Sequence, residues 1–138
     1  MENPYAAPQG EIRSPIGSAT PLTWKQILFS FKGRIPRRQY WAAHGIQIVV
    51  GLVYGFIVGL VTSAAESPGV VLPMLIPLYI LSIWVGLAVS AKRCHDRNRS
   101  AWFILIVLIP LVGPIWLFVE VACLRGTEGA NEYGEDPT

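Results

Sequence analysis

The stretch that most restricts what this chain can become is residues 41–65, a run of 25 residues without a formal charge. At about 1.5 Å of rise per residue, a helix of that length crosses about 30 Å of hydrocarbon with some tilt. Two further apolar runs follow at 70–91 and 101–124, and between them lies a polar knot, KRCHDRNRS at 92–100. Of the 138 residues, 52% are hydrophobic and 14% charged, with mean hydropathy +0.44, so a water-soluble domain would have too little polar surface to cover itself. The expected class is an all-α membrane protein. It would have three transmembrane helices, the third broken at Pro110–Pro114, and a short N-terminal interfacial helix.

Charge placement sets the expected topology. Segments 25–38 and 92–99 hold nine of the eleven lysines and arginines, the turn 66–69 holds none, and the C-terminal tail holds only Arg125. Short loops rich in Lys and Arg stay in the cytoplasm, which places the N-terminus there and favours three crossings. Residues 1–22 contain Pro4, Pro8, Pro15 and Pro21 among small residues and read as a disordered tail. They lack the apolar core of a signal peptide, so the first span is expected to serve as an uncleaved insertion signal. Residues 23–124 form the membrane domain, and 125–138 a polar, glycine-rich, acidic tail that alone would be unstructured; if residues 125–133 fold back against the basic collar instead, Cys123 and Cys94 should label from the same side.

Within the membrane domain, Thr23 and Gln26 have capping-box spacing, and Trp24, Ile27, Leu28 and Phe31 share one helical face. This describes an interfacial helix ended by Gly33, or aromatics packed on the spans. In span one Gly51, Gly55, Gly59 and Ser63 recur every fourth residue, matched on span two by Ser82, Gly86 and Ser90. Such ridges let helices approach closely in lipid. They are expected to pack within the chain, Gly51 near the depth of Ser82, with span three or a second copy as the other candidate partner for the outer part. Pro73 and Pro77 should bend span two. Pro110, Gly113 and Pro114 leave two forms for the third run, a broken crossing or two half-helices that dip in and return.

Three polar blocks stand out together: FKGRIPRRQYW at 31–41, KRCHDRNRSAWF at 92–103 and RGTEGANEYGEDP at 125–137. In order and spacing they resemble a small bacterial inner-membrane family, domain of unknown function eight hundred and five. The resemblance runs from about Thr23 to the end, with Lys92 where an arginine is usual, Cys94 for leucine and Phe103 for tryptophan. It implies a multi-span protein of the bacterial cytoplasmic membrane and supplies no substrate, cofactor or catalytic residue.

The candidate chemistry is sparse. His95 and Asp96 are the possible acid–base pair, but neighbours on a helix point about 100° apart, so Asp96 is expected to pair with Arg93 or Arg99 and His95 to cap span two. His44, His95 and Cys94 lack metal-ligand spacing, and two cysteines, Cys94 and Cys123, make no disulfide scaffold. Neither metal nor cofactor is expected. Glu120 is a lone acid in an apolar run, which by default marks a functional site. Arg34, Arg37, Arg38, Lys92, Arg93, Arg97 and Arg99 should form a collar that sets topology or holds anionic lipid, each cation contributing about 1 kcal/mol near the surface. No basic face interleaves with stacking aromatics, so nucleic acid is not an expected partner. The reading is a non-enzymatic structural or interaction protein associated with anionic lipid, and able to form a homo-oligomer. The alternative is a small transporter or channel component using Glu120 and the broken third span.

Overall fold

The computed structural model describes residues 20–65 and 68–137, so residues 1–19 of the expected tail lie outside it. In chain order come α1 (Trp24–Phe29), α2 (Arg37–Ala65), a single turn at Pro68–Val70 and α3 (Val71–Asp96). After these, a 3₁₀ run (Ala101–Leu108), α4 (Val112–Phe118) and a π turn (Val119–Cys123) complete the helical part. Among the described residues the only pairing outside helices is the isolated bridge between Asn131 and Gly134.

The 29 residues of α2 and 26 of α3 form an antiparallel pair, each longer than the hydrocarbon needs at about 1.5 Å per residue. Their register is set by two polar side chains inside the apolar runs. Gln47 donates to the Ser82 carbonyl at 2.6 Å and Tyr54 to the Met74 carbonyl at 2.7 Å. In hydrocarbon such bonds have no water competing for them. Met74 lies in the turn before Pro77, the proline inside α3, and Pro73 falls in the first turn, where no backbone donor is missed. The other faces of both helices are apolar and open: Leu52 is 70% and Phe56 68% exposed, surfaces that only lipid would cover without cost.

The glycine ridge does not join the two spans. A Cβ placed on Gly51, Gly55, Gly59 or Gly86 would meet nothing within 4 Å, and Ser63 is exposed. The expected packing of the ridge within the chain is therefore corrected: the pair meets through the face of α2 carrying Tyr40, Ala43, Gln47, Tyr54 and Val58. Gln47, not Gly51, lies at the depth of Ser82. Helix spacing here is decided by the length of the polar side chains that must reach across, and small residues are displaced to the flank.

Short α1 has the expected capping box, Thr23 and Gln26 each receiving the other's backbone N–H. It ends at Ser30, one turn before Gly33. Ile27 is buried in the core and Phe31 meets Trp84 edge to face at 5.2 Å, while Trp24 stays exposed, so this segment both packs on the spans and shows an aromatic face outward.

Residues 101–124 take the second of the two forms left open by the prolines. Ser100 accepts from the Trp102 N–H and starts the 3₁₀ run. The chain then reverses at Leu111 (φ 65, ψ −56), the centre of a γ-turn closed by Val112 N–H to Pro110 O at 2.8 Å. The return limb lies so close that a Cβ on Gly113 would collide with the Ile106 carbonyl. Eight residues at about 2.0 Å of rise go in and twelve at about 1.5 Å come back, so each limb covers about half of a 30 Å hydrocarbon layer. In place of the expected single third span, residues 101–124 thus form a hairpin, and the chain returns to the end of α2 and α3 that carries the basic residues. Counting cations could not find this, because Arg125 is a single charge and the tail's position is held by contacts instead.

Candidate functional site

The hairpin's return brings the three polar blocks into one knot at the basic end of α2 and α3. Asp96, the last residue of α3, is its centre. One carboxylate oxygen pairs with Arg34, 3.1 Å away, and the other with Arg93, all three side chains being at most 4% exposed. Two guanidinium groups around one buried carboxylate leave an excess positive charge, and the excess is met by carbonyls. Arg34 donates to Thr127 O (2.6 Å), Gly129 O (2.7 Å) and Gly134 O (3.1 Å). Arg93 donates to Val121 O (2.8 Å), Ile35 O (3.5 Å) and Leu124 O.

These carbonyls are the reason the cations are inside. The C-terminal ends of α1 and of the returning limb present unpaired, partly negative carbonyls below the surface. Lys92 donates to Ser30 O at the end of α1. At the end of the return limb, Arg37 donates to Cys123 O (2.8 Å), Trp41 to Ala122 O (3.3 Å) and Arg97 to Arg125 O (2.7 Å). Glu120 lies on the same limb and is held by Arg97 at 3.0 Å and Arg99 at 2.7 Å. It therefore sits at the basic boundary and not deep in the layer.

The tail, read from sequence as an unstructured end, closes the knot. Thr127 donates its N–H (2.8 Å) and hydroxyl (3.0 Å) to Asp96 O, capping α3. Asn131 reaches His95 O at 2.8 Å, and the Glu132 N–H reaches Asn98 Oδ1 at 3.3 Å. Tyr133 stacks on the His95 ring, 4.1 Å between centroids and 4° from parallel. Gly126 must be glycine because a Cβ there would strike the Asp96 carboxylate, and Gly129 and Gly134 turn the loop at φ 75° and 135°.

Several expectations change accordingly. Of the seven collar residues, Arg34, Lys92 and Arg93 are buried and engaged inside, which removes them from contact with headgroups. Arg37, Arg38, Arg97 and Arg99 remain at least partly open. Asp96 pairs with Arg93 as expected but with Arg34 rather than Arg99, which holds Glu120. The His95 ring donates to Gly33 O at 3.3 Å and leaves the end of α3 to the tail. His44 faces Tyr40 O at 3.0 Å on its own helix, Cys94 is buried, Cys123 is exposed, and no three metal-type ligands cluster among the described residues. Sequence reasoning left the tail's part in the site open, tied to the re-entrant form, and missed the two polar side chains that register the spans. The signal for the first was the third polar block itself, whose spacing matched the other two.

A profile described as "Protein of unknown function (DUF805)" matches residues 28–135. The chain belongs to this family. Among its relatives, inner membrane protein YhaH of Escherichia coli K12 is 36% identical over 113 residues, covering 78% of this chain and 86% of the relative. Inner membrane protein YhaI of the same strain is 36% identical over 109 residues, with 78% and 85% covered. The uncharacterized protein YiiR is 32% identical over 139 residues, with 83% and 90% covered. No solved structure matches the chain. The DUF805 profile begins within α1 and ends within the tail, so it spans the first two blocks of the knot and all but the last two residues of the third. With two long apolar helices and these relatives, the protein is an all-α integral protein of the bacterial inner membrane.

Proposed function

We propose that this DUF805 protein is a non-catalytic structural and interaction protein, oriented with its basic end in the cytoplasm and associated there with anionic lipid. The observation that carries this reading is that the five buried charged residues among the described ones, Arg34, Lys92, Arg93, Asp96 and Glu120, all bind one another, a boundary arginine or backbone carbonyls. Among the described residues no buried side-chain N or O lacks a partner. A general acid or base needs a group free to face a substrate, and His95 and Asp96 are instead taken up by the tail and the arginines. Five cations, Lys25, Lys32, Arg38, Arg99 and Arg125, are exposed at this end against three acids of the tail, Glu128, Glu132 and Glu135, so positive charge is in excess. A ring of cations beside lipid-facing helices attracts the negative leaflet.

The test is native mass spectrometry of protein released from mixed phosphatidylglycerol and phosphatidylcholine. The expected result is enrichment of several phosphatidylglycerols per chain, weakened by salt and by Lys25→Gln with Lys32→Gln. Equal adducts of both lipids would remove the lipid reading. The transport alternative meets the clamp of Arg97 and Arg99 on Glu120. Glu120→Gln is expected to leave ion flux through proteoliposomes unchanged, and altered flux would revive that alternative.

A further inference from the structure

Between the first turn of α2 and the returning tail lies a cavity of about 360 Å³ with Arg37, Arg38 and Arg125 in its lining. Arg93 and Asp96 also line it, but they are engaged inside the knot, Asp96 by Arg34 and Arg93, and Arg93 by backbone carbonyls as well. Arg37 is fixed by its bond to Cys123 O, while the side chains of Arg38 and Arg125 make no hydrogen bond or ion pair among the described residues. The first turn of α2 contains no acid, so its positive dipole end adds to the arginines. Three guanidinium groups lining one small cavity match the forked geometry of phosphate oxygens.

Two further observations narrow the ligand. Directly beyond Arg38 on the same helical face come Trp41, Gly45, Val49 and Leu52, all exposed, an apolar track running from the cavity along the span. A free anion has no use for such a track, whereas acyl chains do. The cavity also holds two carboxylates, Glu128 and Asp136, the second accepting the Gly129 N–H at 2.8 Å. They disfavour a bare dianion and favour a phosphodiester whose outer end carries hydroxyl or ammonium donors.

We infer that this cavity binds one phospholipid headgroup, its phosphodiester held by Arg37, Arg38 and Arg125 and its acyl chains laid along the Trp41 to Leu52 face. The inference deepens the lipid-associated reading and rests on it for the site's membrane setting, but it concerns one bound molecule instead of a diffuse ring.

The experiment uses the full chain in detergent with dioleoyl phosphatidylglycerol added, read by native mass spectrometry at rising collision energy. One adduct per chain is expected to outlast the rest, with its occupancy about ten-fold or more lower in Arg38→Gln with Arg125→Gln, as for lost charge-assisted hydrogen bonds. Unchanged thermal unfolding of that variant is expected, since neither side chain supports the fold. An adduct that persists unchanged in this variant would overturn the site. Lys25→Gln with Lys32→Gln should lower the general enrichment and keep the single adduct, and its loss there would overturn the cavity; an unaltered chain with no general enrichment but with the single adduct would sink the ring and spare the cavity. Competing millimolar inorganic phosphate and glycerol 3-phosphate distinguish the source. Retention of the adduct supports the acyl-bearing ligand, and displacement by either overturns the lipid assignment in favour of a free phosphate.

Discussion

Arg34 joins the segment leading into α2 to both the end of α3 and the tail. Its guanidinium closes on a buried carboxylate 62 positions away and on three carbonyls of the tail. Removing one partner of such a group leaves the other charge without compensation in a dry site, which costs about 3–5 kcal/mol. Arg34→Gln is therefore expected to lower stability in detergent by that amount and to open residues 125–137 to proteolysis, with Arg34→Lys failing to rescue because a point charge cannot reproduce the fork. A tail that stays resistant would show that Arg34 does not hold it. Glu120→Gln should be milder, about 1 kcal/mol, because Arg97 and Arg99 keep 24% and 44% of their side-chain surface and water partly screens the pairs.

At the scale of elements, two segments stop short of crossing. Each then ends with carbonyls met by cations, buried Lys92 for α1 and buried Arg93 with half-buried Arg37 for the hairpin. This links the hairpin to the arginines: a full third crossing would carry residues 121–124 to the opposite side and strip Arg93 of the Val121 and Leu124 carbonyls, leaving it Asp96 and Ile35 O. Cys123 is exposed and Cys94 buried, so an impermeant maleimide can report on the first but not the second. In a chain with Cys94 replaced by Ser, native Cys123 and a Lys32→Cys marker are expected to label from the same side of sealed vesicles. Labelling from opposite sides would restore the third crossing. Gly113→Ala should press the limbs apart at the Ile106 carbonyl, at a cost of about 3 kcal/mol, measurable as a lowered unfolding temperature.

Taken whole, the molecule has a tightly bonded base and a sparse upper half in which two helices touch along one seam. On the outer ridge a Cβ at Gly55 or Gly59 would meet nothing within 4 Å among the described residues, and Ser63 is exposed. Association with a second copy along this ridge is the proposed oligomeric contact, since small residues allow the close backbone approach that holds helices together in lipid. Cysteines at Gly55 and Gly59 are expected to crosslink between copies in native membranes. Absence of any crosslinked pair would remove the dimer.

What the amino-acid order determined alone is the solvent and the coarse path. Uncharged runs of 25 residues, a capping box and punctuating prolines are local properties, and they sufficed for the two long helices, the start of α1 and the break near Pro110. Hydropathy reports how apolar a segment is but not whether it goes on or turns back, so the hairpin was open until the return limb found Arg93. Whether a basic residue faces lipid or lies inside is likewise undecided by its charge. Arg34 and Arg38 look alike in the sequence, yet one is buried against Asp96 and the other is exposed. Only tertiary structure separates them, because the energy of a charge depends on which distant carboxylates and carbonyls the fold brings within about 3 Å of it.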